Sequence, residues 1–412
     1  MPLDAAATIL QILASPAFHH AKATIAAEHD RMIEDLIHLT EIEAPSFNEN
    51  ARAQVWMEMA KAHGLEDVTM DAEGNVTALR RGGGNGALVC VAAHLDTVFP
   101  AGTDVKVRRE GHRLFAPGIG DDTRSLSVLL AWVRALDAAG IRTRADILFV
   151  ADVGEEGPGD LRGMRHLFLK GPYKNRIDAF ITVDSPDIDR IVTAGIGSKR
   201  YRVTFRGPGG HSFSAFGLVN PMYAMARAVD QLGRMVVPSS PKTTFSASVT
   251  GGGTSINSIP DAVWTDFDLR SACAIELEKL ENQFLAIIDA AVRAENQARS
   301  VASGPVTAEI KPIGDRPAGN TDADTDLVRL AHAAITAHGF EPSFEASSTD
   351  ANIPMSLGIP AIRIGSGGTG GRAHSLEEWI DVTPAVSIPG MAAGLATLLG
   401  VAGVLEGYNG AA

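Results

Sequence analysis

The sequence of 412 residues contains only two cysteines, Cys90 and Cys273, and they lie far apart. Two isolated thiols provide neither a disulfide framework nor the paired spacing of a cysteine-based zinc site, and they indicate a reducing compartment such as the cytoplasm. Basic residues are not in excess either, because the net charge is −13. A protein that binds phosphates of nucleic acids normally presents a basic face, so we expect no nucleic-acid partner.

Membrane and secretion signals are also sparse. We find no apolar run that approaches about 18 residues, the length that a transmembrane helix needs, and we therefore expect no membrane partner. The segment 1–18 is mildly apolar, but Asp4 interrupts it and no basic stretch precedes it. This pattern favours a short helix over a signal peptide. A Gly-x-Ser-x-Gly segment, which is typical of many serine hydrolases, does not occur.

Several continuous apolar segments indicate strands that are buried on both faces of an α/β sheet. They are Ala87–Ala93, Ala145–Ala151, Ala179–Val183 and Ala361–Ile364, with a further strand at Asn75–Arg80 and a helix at Ser125–Ala139. Polar residues or glycines follow each apolar segment directly. Since functional residues of α/β sheets gather just beyond the carboxyl ends of strands, these positions are where we expect the site.

The middle of the chain has a different order of elements. Strands are predicted at Tyr201–Phe205, Thr243–Val249, Ala262–Asp268 and Val306–Ile310, and helices at Asn220–Leu232 and Leu277–Asn296. This βαββαβ order is that of a ferredoxin-like sandwich. We therefore predict a discontinuous catalytic domain, residues 1–196 and 314–412, that is interrupted by an inserted domain at 197–313.

Five short segments at predicted strand ends or in adjoining loops offer carboxylate and imidazole ligands for a divalent metal. They contain His94-Leu95-Asp96, Asp121-Asp122, Glu155-Glu156, Asp184 and His374. Each segment has an ordinary explanation by itself, since a His-x-Asp occurs by chance, adjacent acids can cap a helix and paired glutamates are usually solvated. Their convergence on one sheet predicts a metal site, in which His94 can bind the metal and Asp96 can orient a ligand.

These segments resemble the motifs of the aminoacylase/carboxypeptidase family of co-catalytic metallopeptidases, whose members include peptidase T, glutamate carboxypeptidases and succinyl-diaminopimelate desuccinylase. The resemblance covers about residues 30–400. It implies a zinc-peptidase-like catalytic domain with a mixed central sheet flanked by helices, and two divalent metal ions, zinc in the first place with manganese or cobalt as alternatives. It assigns Glu155 as the general base, Asp121 as the carboxylate that bridges both metals, and, as further ligands, His94, Glu156, Asp184 and His374.

The inserted domain resembles the lid and dimerisation domain of the same family, which implies a homodimer. His211, in Gly209-Gly210-His211-Ser212, matches a histidine that reaches an active site, often that of the partner subunit. Asn257 and Arg270 match positions that contact the substrate, although Arg270 could instead form a surface ion pair and His211 could be a turn residue. An arginine in this role implies a substrate that bears a carboxylate.

The resemblance implies hydrolysis of an amide or peptide C–N bond by a metal-activated water, with Glu155, Asp96 and His211 as catalytic residues. The substrate is expected to be a small molecule or a short peptide. Many members have Asp-Asp-Lys-Gly where this chain has Asp121-Asp122-Thr123-Arg124. This departure leaves open a non-peptide C–N hydrolase, such as an aminohydrolase of a nitroanthranilate-like aromatic amine. An inactive homologue that serves in binding or assembly is a third alternative, which the complete set of ligands disfavours. Asp350 matches a recurrent segment near the site and is assigned no role.

Overall fold

A computed structural model describes residues 3–84 and 86–405. The ends of the predicted catalytic ranges, residues 1–2 and 406–412, lie outside the described residues. The chain divides into two compact units, which we call the main unit and the inserted unit. The main unit comprises the residues up to Gly195 and from Asn320 onward, and the inserted unit is Ile196–Gly319.

Four helices open the described part of the chain, and strands and helices are mixed after them. Before the insertion they are α1 (Ala5–Ala14), α2 (Pro16–Ala27), α3 (His29–Thr40), α4 (Asn50–Lys61), β1 (Glu66–Met70), β2 (Val76–Arg80), β3 (Leu88–His94), β4 (Arg108–Glu110), β5 (Arg113–Phe115), α5 (Arg124–Ala138), β6 (Asp146–Asp152), α6 (Arg162–Leu169), β7 (Ala179–Val183) and β8 (Arg190–Gly195). The inserted unit contains β9 (Gly197–Arg206), β10 (Gly210–His211), α7 (Pro221–Gly233), β11 (Thr243–Gly252), β12 (Ser258–Ile259), β13 (Ala262–Ser271), α8 (Ala274–Ala298) and β14 (Thr307–Arg316). After the boundary strand β15 (Gly319–Asn320) come α9 (Asp326–Ala337), β16 (Ser343–Ser347), α10 (Asn352–Ser356), β17 (Ala361–Ile364), β18 (Thr369–Gly371), β19 (Trp379–Asp381) and α11 (Pro384–Ala402).

A mixed sheet forms the centre of the main unit. Its strands follow the order β1-β2-β6-β3-β7-β17-β8, with β16 beside β8. The four strands β6, β3, β7 and β17 run parallel to one another, whereas β1 and β2 are antiparallel additions at one edge. Every residue of β3 and β17 is buried, which explains the continuous apolar runs in the sequence. The predicted α/β fold with a mixed central sheet is confirmed.

Helix α11 lies in the core of the main unit and corrects the expectation about apolar runs. Its 19 residues have a mean hydropathy of 1.7 in the most apolar window, long and apolar enough by composition to cross a membrane. However, 67% of that window is buried, and Trp132 Nε1 donates to the carbonyl of Met391 at 2.9 Å. A helix that is apolar all round is expected in the core of a large α/β unit. Glycine, alanine and serine make up much of its sequence, which is why no long hydrophobic run was apparent.

The inserted unit has a four-stranded antiparallel sheet in the order β11-β13-β9-β14. Helices α7 and α8 pack on this sheet through a shared apolar cluster, so the element order and topology are those of a ferredoxin-like sandwich. The sequence placed the end of the insertion at 313, but β14 continues to Arg316, which pairs with Ser198. Pro312 and Gly314 obscure the strand pattern there, and the ladder is irregular between them.

Candidate metal centre

The carboxyl ends of the parallel strands meet at one edge of the central sheet. His94 is the last residue of β3 and lies opposite Asp152, the last residue of β6. The Glu155-Glu156 loop follows β6, and Asp184 follows β7 directly. Parallel pairing therefore brings three of the predicted segments to the same edge.

The carboxylate of Asp121 lies between two imidazole rings. Its Oδ1 is 3.0 Å from His94 Nε2, and its Oδ2 is 3.2 Å from His374 Nε2. His374 Nε2 is also 2.9 Å from Glu156 Oε1. Ligand atoms of His94, Asp121 and Glu156 all lie within 4.8 Å of one another. The fold thus gathers three of the predicted metal ligands, His94, Glu156 and His374, around the carboxylate of a fourth, Asp121.

A second group of possible ligands shares His94 and contains Asp122 and Asp184, again within 4.8 Å of one another. Asp122 Oδ2 accepts a hydrogen bond from the backbone N–H of His94 at 3.2 Å. Asp122 Oδ1 is buried and has no hydrogen-bond partner among the described residues. Asp184 Oδ2 accepts from Arg363 Nε at 3.2 Å. The sequence had assigned no role to Asp122, although its adjacency to Asp121 was visible.

The spacing and chemistry of these donors fit divalent cations. Two ligands at 2.0–2.1 Å from a tetrahedral cation are separated by about 3.3 Å, close to the 2.9–3.2 Å between the imidazole nitrogens and carboxylate oxygens here. Several buried carboxylates converge on a small volume, and buried charges of one sign require a compensating charge. Imidazole and carboxylate are suitable ligands for zinc, and manganese also accepts them.

The pKa values of the two histidines show how strongly this pocket favours positive charge. Hydrogen bonds to Asp121 and Glu156 raise the pKa of His374 to about 11. Burial lowers the pKa of His94, but the hydrogen bond to Asp121 and the charge of Asp122 outweigh it and raise that pKa well above its usual value. Burial raises the pKa of Asp122 and of Glu156. Cations that neutralise the carboxylates would satisfy the same electrostatic demand.

Asp96 fixes the loop that carries the two glutamates. Its Oδ1 accepts from the backbone N–H of Glu155 at 2.9 Å, and its Oδ2 accepts from that of Glu156 at 3.0 Å. Ser46 Oγ donates to the same Oδ2 at 2.8 Å. The Asp96 carbonyl lies 2.9 Å from His94 Nδ1, and because a carbonyl can only accept, this contact places a hydrogen on Nδ1. Asp96 therefore orients both the imidazole and the glutamate loop.

Glu378 holds the Asp121 loop from the far end of the chain. Its Oε1 accepts from the backbone N–H groups of Gly120 at 2.7 Å and Asp121 at 2.9 Å, and its Oε2 accepts from Gly118 at 3.1 Å. Burial raises the pKa of Glu378 to about 7. The sequence contained it in the His374 segment but gave no reason to prefer it over Glu377. Only the fold identifies its partners.

Asp350 lies fully buried beside Asp152, below the ligand edge of the sheet. Burial and the charge of Asp152 raise the pKa of Asp350 well above its usual value. Burial also raises the pKa of Asp152 to about 7. Each of these carboxyl groups therefore disfavours ionisation of the other.

The remaining predicted site residues belong to the inserted unit. His211 pairs with Ser258 in the β10–β12 ribbon, and the N–H of Ser212 donates to the carbonyl of Asn257 at 2.9 Å, so His211 and Asn257 lie at the same end of this ribbon. His211 Nδ1 accepts from the backbone N–H of Phe213 at 3.2 Å. Arg270, on β13, donates through Nε to Asp268 Oδ2 at 2.7 Å. The ion pair that the sequence offered as an alternative for Arg270 is thus present.

Comparison with known proteins agrees with this architecture. A model described as Peptidase family M20/M25/M40 matches residues 90–400. The curated succinyl-diaminopimelate desuccinylase of Leptothrix cholodnii is 28% identical over 249 residues, 56% of this chain and 63% of that relative, so the match spans less than two thirds of the relative's length.

Solved structures share the fold over nearly the whole chain. Aminopeptidase PepT from Bacillus cereus superposes with a TM-score of 0.72 at 20% identity, covering 91% of this chain and 98% of that one. The YXEP protein of Bacillus subtilis, described as a dinuclear metal binding peptidase from the M20 family, has a TM-score of 0.67 at 15% identity, covering 91% and 99%. At these identities the superpositions establish the fold.

The fold, the cluster of carboxylates and imidazoles at the sheet edge and the family match point to the same class of protein. The chain belongs to peptidase family M20/M25/M40. The resemblance to the aminoacylase/carboxypeptidase family, inferred from the motifs, is confirmed.

Proposed function

We propose that the protein is a dinuclear metal-dependent hydrolase that cleaves an amide or peptide C–N bond of a small substrate bearing a carboxylate. The observation that carries this proposal is the position of Asp121, whose two oxygens lie 3.0 Å from His94 Nε2 and 3.2 Å from His374 Nε2. A carboxylate that faces two imidazoles can bridge two cations, one beside each histidine. The YXEP protein of Bacillus subtilis is described as a dinuclear metal binding peptidase, which supports two metal ions in the proposed centre of this protein as well.

In the proposed centre, Glu156 and His374 would hold one cation and His94 and Asp184 the other, with Asp121 as a ligand that both could share. Zinc is the first candidate, with manganese or cobalt as alternatives, because the donors are imidazoles and carboxylates. Such cations supply Lewis acidity and lower the pKa of a water molecule.

Glu155 is the proposed general base. It would accept a proton from the attacking water and donate it to the leaving nitrogen. Within the described part of the chain, neither group of mutually close ligand atoms contains Glu155, whereas Glu156 belongs to one of them. A carboxylate that does not bind a cation keeps its basicity, and the hydrogen bond of the Glu155 backbone to Asp96 fixes its position.

Residues of the inserted unit are proposed to bind the substrate. His211 would stabilise the developing oxyanion, a contribution of about 3 kcal/mol for one well-placed donor. Arg270 would hold a substrate carboxylate through a two-pronged contact, with Asn257 as a further polar contact. The ion pair with Asp268 occupies Nε of Arg270, which is compatible with a carboxylate at the opposite edge of the guanidinium.

The inserted unit is also proposed to form a homodimer. Strand β11 lies at the edge of its sheet and exposes seven of its ten residues. An exposed edge strand can pair with the same strand of a second copy. Light scattering at micromolar concentration is expected to give about twice the chain mass of 43.3 kDa, and a monomer under these conditions would contradict the dimer.

Removal and restoration of metal tests the proposed activity. We expect exhaustive chelation to abolish hydrolysis of at least one member of a panel of short peptides, N-acyl amino acids and aromatic amines, and added zinc, manganese or cobalt to restore it. Full activity after chelation would contradict the proposal. Turnover of aromatic amines alone would favour the aminohydrolase alternative, and bound metal without turnover of any panel member would favour the inactive homologue.

A further inference from the structure

Arg124 is a buried cation that connects two segments of the candidate metal centre. It is the first residue of α5, three residues after Asp121, and its side chain is fully buried. Its Nε donates to the carbonyl of Gly367 at 2.6 Å, and its Nη2 donates to Ser387 Oγ at 2.7 Å. The side chain therefore reaches from the Asp121 loop to the glycine-rich segment 365–371, which precedes His374.

The surroundings of Arg124 are costly for a cation. Burial lowers its pKa to about 10, and its Nη1 is buried without a hydrogen-bond partner among the described residues. Its two side-chain hydrogen bonds go to a carbonyl and a hydroxyl, neither of which carries charge. A buried cation without a carboxylate partner is destabilising relative to an apolar side chain of similar volume. We therefore expect the guanidinium of Arg124 to have a structural role, through its hydrogen bonds, that an apolar side chain could not fill.

The glycine-rich segment is shaped to approach this guanidinium closely. Gly368 has a φ of +96°, and a Cβ there would lie 3.3 Å from Arg124 Nη2 and 3.1 Å from the carbonyl of Asp381. A Cβ at Gly390 of α11 would lie 2.5 Å from Gly367 Cα. The segment is thus pressed between Arg124 and α11, and only glycine permits this approach.

His374 depends on this segment more than His94 depends on its own strand. The side chain of His94 is 1% exposed, so packing in the sheet holds it, whereas that of His374 is 54% exposed. His374 lies in the turn between β18 and β19, and packing of its ring does not fix it. Apart from its contacts with Asp121 and Glu156, its position therefore depends on the backbone that carries it, which includes segment 365–371.

We propose that Arg124 is a positioning residue that anchors segment 365–371 and thereby holds His374 against Asp121 and Glu156. This inference rests on the proposed function, in which His374 holds one of two cations. A single side chain that begins beside Asp121 and ends on the carbonyl of Gly367 fixes two ligand-bearing segments relative to each other. Without this anchor, His374 would have to become ordered when the cation binds. Loss of the anchor should therefore lower the affinity for the cation that His374 holds, and leave the affinity for the other cation nearly unchanged.

The test compares Arg124→Met with Arg134→Met, a control in the same helix whose buried guanidinium pairs with Glu28 and Asp35 away from the centre. Hydrogen exchange of the metal-free proteins is expected to be about tenfold faster over 366–375 in Arg124→Met only, because local opening of that segment becomes easier. Zinc titration should show one affinity reduced about 10–100-fold and the other nearly unchanged. The control should show neither change.

Exchange over 366–375 and zinc affinities equal to those of the unsubstituted protein would overturn the inference. If Arg124→Met does not fold, Arg124→Lys replaces it. Lysine has no donor at the position of Nε, which bonds to Gly367, so the same segment should again exchange faster. Unchanged exchange in that variant would equally overturn the anchor. The exchange measurement uses no metal, so it tests the anchor even if the protein binds no zinc and the proposed function fails.

Discussion

Glu155→Ala is expected to lower kcat by about four orders of magnitude, the upper end of the contribution of general acid–base catalysis, while both metal ions stay bound. The large effect follows from two proton transfers that depend on one carboxylate, first from water and then to the leaving nitrogen. Metal retention follows because the carboxylates that gather around His94 and His374 are those of Asp121 and Glu156. Steady-state kinetics and elemental analysis of the purified variant measure the two quantities.

Glu156→Ala is the matched control for this prediction, since the two residues are neighbours on one loop held by Asp96. It should lose the contact at 2.9 Å with His374 Nε2 and, with it, at least one metal ion. Loss of both metals from Glu155→Ala, with full metal content in Glu156→Ala, would show that the two glutamates have exchanged roles. Glu155→Gln, which keeps the side-chain volume, separates loss of the base from loss of packing.

The parts of the fold that the sequence predicted well are those encoded locally. The apolar runs of β3, β6, β7 and β17 identify buried strands, and polar residues directly after them mark the ligand edge. Strand β8 was missed because Arg190 and the small residues after Ile191 do not form a continuous apolar run. Helix α11 was missed for a related reason, because its small residues give no amphipathic period.

Contacts between segments that are distant in the chain could not be predicted from the sequence. Glu378 binds the N–H of Asp121 across 257 residues, and Arg124 binds Gly367 across 243. Neither contact leaves a local pattern, since a glutamate in a loop and an arginine at a helix start are ordinary surface residues. The substitution of Thr123-Arg124 for the Lys-Gly of many relatives was visible, but only the fold shows that the arginine points into the core.

Asp121→Asn is expected to remove both metal ions and reduce hydrolysis to background. One carboxylate serves both proposed positions, and the amide that replaces it has a single acceptor oxygen and no negative charge. The imidazoles of His94 and His374 face Asp121 at 3.0 and 3.2 Å. Without the charge of Asp121, His374 would lose the strongest of the contacts that raise its pKa. Elemental analysis gives the metal content, and thermal unfolding with and without zinc gives an independent readout, because a ligand that binds only the folded state raises the midpoint.

Asp122→Asn is the control for this substitution, because it changes the adjacent acid in the same loop. Asp122 Oδ2 accepts from the backbone N–H of His94 at 3.2 Å, and an amide oxygen can accept the same bond. Metal content and the zinc-dependent rise in midpoint should therefore be affected less than in Asp121→Asn. Two metal ions retained in Asp121→Asn would contradict a bridging role. A larger metal loss in Asp122→Asn would assign that role to Asp122, which forms a group of possible ligands with His94 and Asp184.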